Sequence, residues 1–185
     1  MDRDLISRAR DGDVDAFSSL TEPRMRQLFA VARLIVGDDE AAADAVQDAL
    51  IAAWRDLPTL RDVERFDGWL RRLLVRSSQR AAVVRRGRRV VEIRLVDDTD
   101  PSGRDDVAIV AIRDQLDRGF ARLSPEHRSV VVLRHYLGLT QAETAEALDV
   151  PAGTVDSRLS RALSVLRAAI EADGRTVTTV KELVR

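Results

Sequence analysis

Cysteine is absent from this 185-residue chain, which excludes a disulfide framework, thiolate metal ligation and a cysteine nucleophile. Histidine occurs only as His127 and His135, eight residues apart and so roughly 80° apart around a helix, a poor geometry for sharing a metal. Neither has a carboxylate at convincing spacing, and no glycine-rich phosphate loop or serine-nucleophile motif occurs. The expectation is therefore no catalytic residues, no metal and no cofactor: the chain does not read as an enzyme. Aromatics amount to 4%, with nine glycines and five prolines, while alanine, leucine, valine and arginine dominate, a composition that favours helices over sheets. No apolar run is long enough for a membrane span or a signal peptide, so the chain reads as soluble and cytoplasmic, without membrane insertion.

The formal net charge is only -1, but the signs are segregated along the chain. Residues 1–69 hold nine basic and 15 acidic groups, whereas residues 70–94 hold nine arginines against Glu92 alone. Residues 95–117 turn acidic again, two basic groups against seven, and residues 118–185 carry ten against eight. A basic helical segment is the footprint of a polyanion partner, because neutralised phosphates release counterions; the plainer alternative is a solvated arginine-rich helix end.

Apolar spacing predicts a helix over 5–10, a stop at Asp11-Gly12-Asp13, and one longer helix over 15–36 with Phe17, Leu20, Leu28, Val31, Ala32 and Ile35 inward. Gly37 ends it, and Asp38 or Asp39 caps the next, over 41–57. Asp44, Gln47 and Asp48 lie at i, i+3 and i+4 on the outer face of that helix. Residues 57–67 read as a loop, and a helix over 65–89 follows with Phe66, Trp69, Leu70, Leu73 and Leu74 inward. At helical spacing among leucines, Phe66 and Trp69 read as core residues rather than stacking platforms. The stretch 95–106, LVDDTDPSGRDD, has too little apolar surface to fold by itself and reads as a linker. Helical spacing resumes over 107–123 through Val110, Ile112, Leu116, Phe120 and Leu123.

Residues 124–167 then spell helix, turn and helix. Ser124-Pro125 is a cap followed by a first-turn proline, and Thr140 with Glu143 forms a capping box, so helices start near Pro125 and Gln141. Pro151 and Gly153 interrupt the chain before a third helix near Thr154, whose inner stripe is Val155, Leu159, Ala162, Leu163 and Leu166. Its outer face carries Ser157, Arg158, Ser160, Arg161 and Ser164. This is the order of a DNA-binding helix-turn-helix, and arginine suits its free face because the guanidinium fork takes the two acceptors of guanine or pairs with phosphate. Asp173-Gly174 is expected to break the last helix, leaving 171–185 as a tail.

With these modules in order, the chain resembles an extracytoplasmic-function (group 4) sigma factor of the sigma-70 family of bacterial RNA polymerase. DAVQDALIAAW is similar to the family's polymerase-binding helix, FDGWLRRLLVRSSQR to its promoter-opening helix, and the segment from Leu123 to Leu163 to its C-terminal domain. The resemblance implies an all-α fold of two small helical domains, region 2-like over 1–90 and region 4-like over 107–170, joined by a flexible acidic linker over 91–106. It implies core RNA polymerase, promoter DNA and an anti-sigma factor as partners. Asp44, Gln47 and Asp48 would dock the polymerase. Arg72, Arg76, Arg80, Arg85 and Arg86 would face the minus-10 element, with the 57–67 loop as a pocket for an unstacked base. Thr154, Ser157, Arg158, Ser160 and Arg161 would face the minus-35 element. The sequence departs from the family pattern at Arg76, where asparagine is common, and at Asp156, where lysine is common. A stand-alone helix-turn-helix regulator is the rival reading, but it accounts for residues 107–170 alone and leaves the acidic and arginine-rich helices without a purpose.

Overall fold

Every regular element among the described residues is helical. The structure, a computed structural model, describes residues 2–92 and 115–183, with side chains over 3–86 and 115–172. The expected linker over 91–106 and the start of the second module therefore lie almost wholly outside the described residues.

The first module comprises α1 (Asp2–Arg10), α2 (Val14–Thr21), α3 (Met25–Val36), α4 (Asp39–Asp56) and α5 (Phe66–Glu92). Gly12 turns the chain at φ 94, and Asp13 caps α2 by accepting the Ala16 N–H at 2.9 Å. The single helix expected over 15–36 is in fact two, because Glu22-Pro23-Arg24 tighten into a 3-10 turn. Proline has no N–H to continue an α-helical ladder, and it is accommodated here within the first residues of a new turn. Gly37 ends α3 at φ 75, a conformation that glycine adopts without strain. Asp38 then caps α4 through the Ala41 N–H at 2.9 Å. The 57–67 segment makes two 3-10 turns, Leu57–Thr59 and Val63–Arg65, and sends Leu57 and Leu60 inward. Along α5, Phe66, Leu70, Leu74, Ser77 and Ser78 are buried, and the Ser77 hydroxyl donates to Ala45 O at 2.7 Å. Trp69 and Leu73 are half-buried against the same core, so Phe66 and Trp69 are the packing residues their spacing predicted.

The second module contains a helix over 115–121 (α6), α7 (Pro125–Val131), α8 (Gln141–Leu148) and α9 (Ala152–Leu183). Between α7 and α8 the chain widens into a π turn over Val132–Tyr136. Three expectations fail here. Helix α9 begins at Ala152, close to the expected start, but runs without a break through Asp173-Gly174 to Leu183. One glycine costs a helix interior only about 1 kcal/mol, too little by itself to stop a helix. Leu163 is exposed and Ala169 buried instead, since the seated stripe is Val155, Ala162, Leu166 and Ala169. Leu116 is likewise exposed, while Leu123 is buried.

The modules share one core. Val132, Leu133, Leu139 and Ala147 of the second module belong to the same buried cluster as Leu28, Ile35, Leu70 and Leu74 of the first. Arg128 fastens the joint: its guanidinium donates to Phe120 O (2.8 Å) and Ala121 O (3.2 Å) within its own module, and to Ile35 O (3.2 Å) and Val36 O (3.1 Å) at the end of α3. Those last carbonyls lack helical partners, and a cation answers both the vacant acceptors and the helix dipole. A Cβ at position 37 would stand 3.0 Å from the Arg128 guanidinium, so a side chain there would press on the joint besides straining φ.

Candidate functional site

The helix-turn-helix is held by its own caps. Ser124 accepts the His127 N–H at 3.3 Å and begins α7. Thr140 and Glu143 complete the reciprocal box: the Glu143 N–H donates to Thr140 Oγ1 at 3.2 Å, and the Thr140 N–H donates to Glu143 Oε2 at 2.8 Å. An N-cap of this kind contributes about 1 kcal/mol. The Thr140 backbone N–H, and then its hydroxyl, hold the Glu143 carboxyl below the usual range. Thr144 is buried but satisfied, its hydroxyl donating to Thr140 O at 2.8 Å. Helix α8 stops at Asp149, which takes the left-handed conformation (φ 56) that asparagine and aspartate tolerate better than most side chains. With Val155 and Ala162 fully buried, α9 has one rotational setting.

That setting determines which side chains face out. Ser157, Ser160 and Arg161 are exposed, and Thr154 and Arg158 are half-buried at the edge of the same face. Ser157 donates to Thr154 O at 3.1 Å. The Ser124 hydroxyl lowers the Glu126 carboxyl, helped by the nearby charge of Arg158. Residues 157–170 contain no acid, so beyond Asp156 the outer face is polar and cationic.

The arginines of α5 are not equivalent. Arg72 donates through Nε to Glu146 O at 3.0 Å and lies 4.0 Å from its carboxylate. Arg76 pairs with Asp149 at 2.8 Å. Both are therefore held by the C-terminal end of α8. Arg85 pairs with Asp38 at 3.3 Å, at the junction of α3 and α4. Arg80 and Arg86 are exposed and, among the described residues, make no ion pair or hydrogen bond. The structure thus spreads the five across three environments.

Asp44, Gln47 and Asp48 are all exposed on one face of α4, as their spacing required. Gln47 also lines a groove of about 570 Å³ whose walls include Val14, Phe17, Met25, Ile51 and Trp54. Val14 and Ile51 are 61% and 58% exposed, which makes the groove apolar surface open to solvent beside an acidic patch. Sequence reasoning missed Arg128, Glu146 and Asp149, which have no local motif, and the bond from Gln141 Nε2 to Asp156 Oδ2 at 2.6 Å.

Comparison with known proteins matches this architecture. The sigma-70 region 2 family model covers residues 20–89, and the sigma-70 region 4 model covers residues 113–166. The RNA polymerase sigma-E factor of Streptomyces avermitilis is 34% identical over 160 residues, 86% of this chain and 88% of that protein. The ECF RNA polymerase sigma factor SigM of Mycobacterium tuberculosis is 34% identical over 161 residues, 87% of this chain and 80% of that protein. Among solved structures, CnrH in complex with the cytosolic domain of CnrY aligns with a TM-score of 0.65 at 27% identity, covering 93% of this chain and 98% of CnrH. The sigma factor RpoE of Bartonella quintana, solved with the anti-sigma factor NepR, shares the fold with a TM-score of 0.64 at 22% identity, over 86% of this chain and 99% of that one. Two region models in order, on helices whose outward faces are acidic in one module and cationic in the other, settle the family: the chain belongs to the extracytoplasmic-function sigma factors of the sigma-70 family.

Proposed function

We propose that the exposed face of α4 with Asp44, Gln47 and Asp48 docks core RNA polymerase, that the arginines of α5 contact the minus-10 element, and that Thr154, Ser157, Arg158, Ser160 and Arg161 of α9 contact the minus-35 element. The observation that carries this reading is the outer face of α9, a cation- and hydroxyl-bearing surface aimed outward by a capped helix-turn-helix. An acidic helix face suits a basic partner helix, and arginines suit phosphate and guanine. The work belongs in the cytoplasm, where polymerase and promoter are; no helix among the described residues is long and apolar enough to cross a membrane.

Arg72 and Arg76 are engaged by α8 in this arrangement, so promoter opening requires the two modules to part. The solved relatives carry a bound partner, CnrY in one case and an anti-sigma factor in the other, and a partner of that kind holding the modules together is the regulation we assign here. Run-off transcription tests the whole reading. Added to core polymerase, the protein gives transcripts from specific start sites, and Asp44→Lys with Asp48→Lys abolishes them by losing the docking charge. Operator binding of equal strength without polymerase, and no transcript with it, would overturn the reading in favour of a stand-alone regulator.

A further inference from the structure

We infer that Asp156, positioned by Gln141, selects the amino group of one cytosine in the minus-35 element. The inference rests on the reading of α9 as the minus-35 helix. Asp156 is the only carboxylate between Pro151 and Glu171 and is exposed on the outer face, one turn before Ser160 and beside Ser157. Helix-turn-helix proteins reach base edges through the N-terminal residues of this helix. Position 156 is therefore at the reading end, and an acid there meets either phosphate, which repels it, or a base edge. The helix dipole does not account for it, because the first turn of α9 contains no acid and the dipole's influence fades beyond that turn.

The geometry narrows what the acid can bind. Gln141, the first residue of α8, points its amide nitrogen at two acceptors, Asp156 Oδ2 at 2.6 Å and Ala152 O at 3.1 Å. Two acceptors commit both amide hydrogens, which fixes the amide orientation and draws the carboxylate to one side. Among the described residues nothing bonds Asp156 Oδ1, so what the pair still offers is acceptors. In the major groove, guanine shows O6 and N7 and thymine shows O4, all acceptors that repel a carboxylate. Cytosine shows the N4 amino group alone. Adenine shows N6 beside the acceptor N7, which sets a second lone pair against the carboxylate. Cytosine is the base with a donor and no neighbouring acceptor, and its paired guanine remains open to an arginine of the same face.

The test is run-off transcription by reconstituted holoenzyme from a promoter library randomised across the minus-35 element, each variant linked to its own barcode in the transcribed region, read by sequencing the transcripts. The wild-type protein favours cytosine about five- to tenfold at one position. Asp156→Ala flattens that position and leaves the others. Asp156→Asn preserves size and the bond to Gln141, so it separates reading from folding, and it moves the preference to adenine, whose N6 and N7 suit an amide. Gln141→Ala, which frees the carboxylate, broadens the same position. Variant libraries that keep the wild-type profile, or that rise equally at every sequence because a repulsive charge is gone, overturn the inference while the role of α9 stands. A wild-type library without any minus-35 preference instead sinks the reading of α9, and this inference with it.

Discussion

On α9 three of the five side chains assigned to DNA are exposed and the other two lie half-buried at the edge of the same face, whereas on α5 two of the five assigned arginines are already held by the other module. The contrast follows from where each helix sits. Helix α9 buries one stripe within its own module and turns the opposite side outward. Helix α5 is packed on one side by α3 and α4 and meets α7 and α8 on another, so its basic stripe runs along the seam. In this closed arrangement the face proposed for the minus-35 element is open and the face proposed for the minus-10 element is partly covered, which on that proposal would put control at the seam rather than in either DNA-binding surface.

The strongest challenge to that picture is aimed at the shared core. Leu133 is fully buried in a cluster built from both modules, and Leu133→Ala should cost about 2–5 kcal/mol. Both tryptophans, Trp54 and Trp69, are in the first module. If the core is common, tryptophan fluorescence in a urea titration reports that loss from the neighbouring module, in one transition that coincides with the circular dichroism signal. An unchanged tryptophan transition would mean that the modules fold separately and the seam is loose. At the open face, Arg161→Ala should weaken promoter selection at the minus-35 element by about 1–3 kcal/mol if its fork grips a base edge. Measured as transcript yield across minus-35 variants, a uniform fall would reassign Arg161 to phosphate.

The seam's ion pairs contribute less. Arg76 and Asp149 are 52% and 66% exposed, a setting in which a pair contributes about 0.2–1 kcal/mol and is screened by salt. Asp149→Asn removes the charge and retains a residue suited to φ 56. Because the chain has no cysteine, Ser18→Cys with Ser164→Cys gives two clean labelling sites, one on each module. Energy transfer between them should fall slightly in Asp149→Asn and fall with salt more in the wild type than in the variant, which keeps the Arg65 and Arg72 pairs with Glu146. Equal salt responses would show that the pair does not hold the seam.

What the sequence disclosed was local. The Ser124 cap, the Thr140–Glu143 box, the Gly37 stop, the outer face of α4 and the inward stripe of α5 each depend on residues close in sequence, and each is where its spacing put it. The family followed from the order of such modules. What stayed hidden was long-range: Arg72 meets Glu146 across 74 positions and Arg128 meets Ile35 across 93, and no periodicity records such a meeting. The errors have local causes. Apolar spacing on both sides of Pro23 masked the turn between α2 and α3, and Gly174 was given more power to end a helix than its cost allows. Leu163 was placed inward by its hydrophobicity, one step off the stripe that Ala169 completes.

The smallest expected effect compares the caps of the two modules under acid. Asp13 is held below the usual carboxylate range by the Ala16 N–H and then by Arg8, and Glu143 by the Thr140 N–H and hydroxyl. A lowered folded value means that the unfolded chain binds more protons, so stability rises with pH across that window. The contribution is complete above the unfolded values, about 3.9 for aspartate and 4.3 for glutamate, and disappears as pH falls through the lowered folded ones. Asp13→Asn keeps a good N-cap without a titrating group, and Glu143→Gln keeps a partner for the Thr140 backbone. Thermal melts from pH 6 to pH 3 should therefore show a steep loss of stability below about pH 4 in the wild type and a shallower one in the double variant. Each single variant should remove its own share of the slope. Since the modules share a core, either one should shift the melting of the whole chain; a slope unchanged in both would show that these caps do not sense the proton.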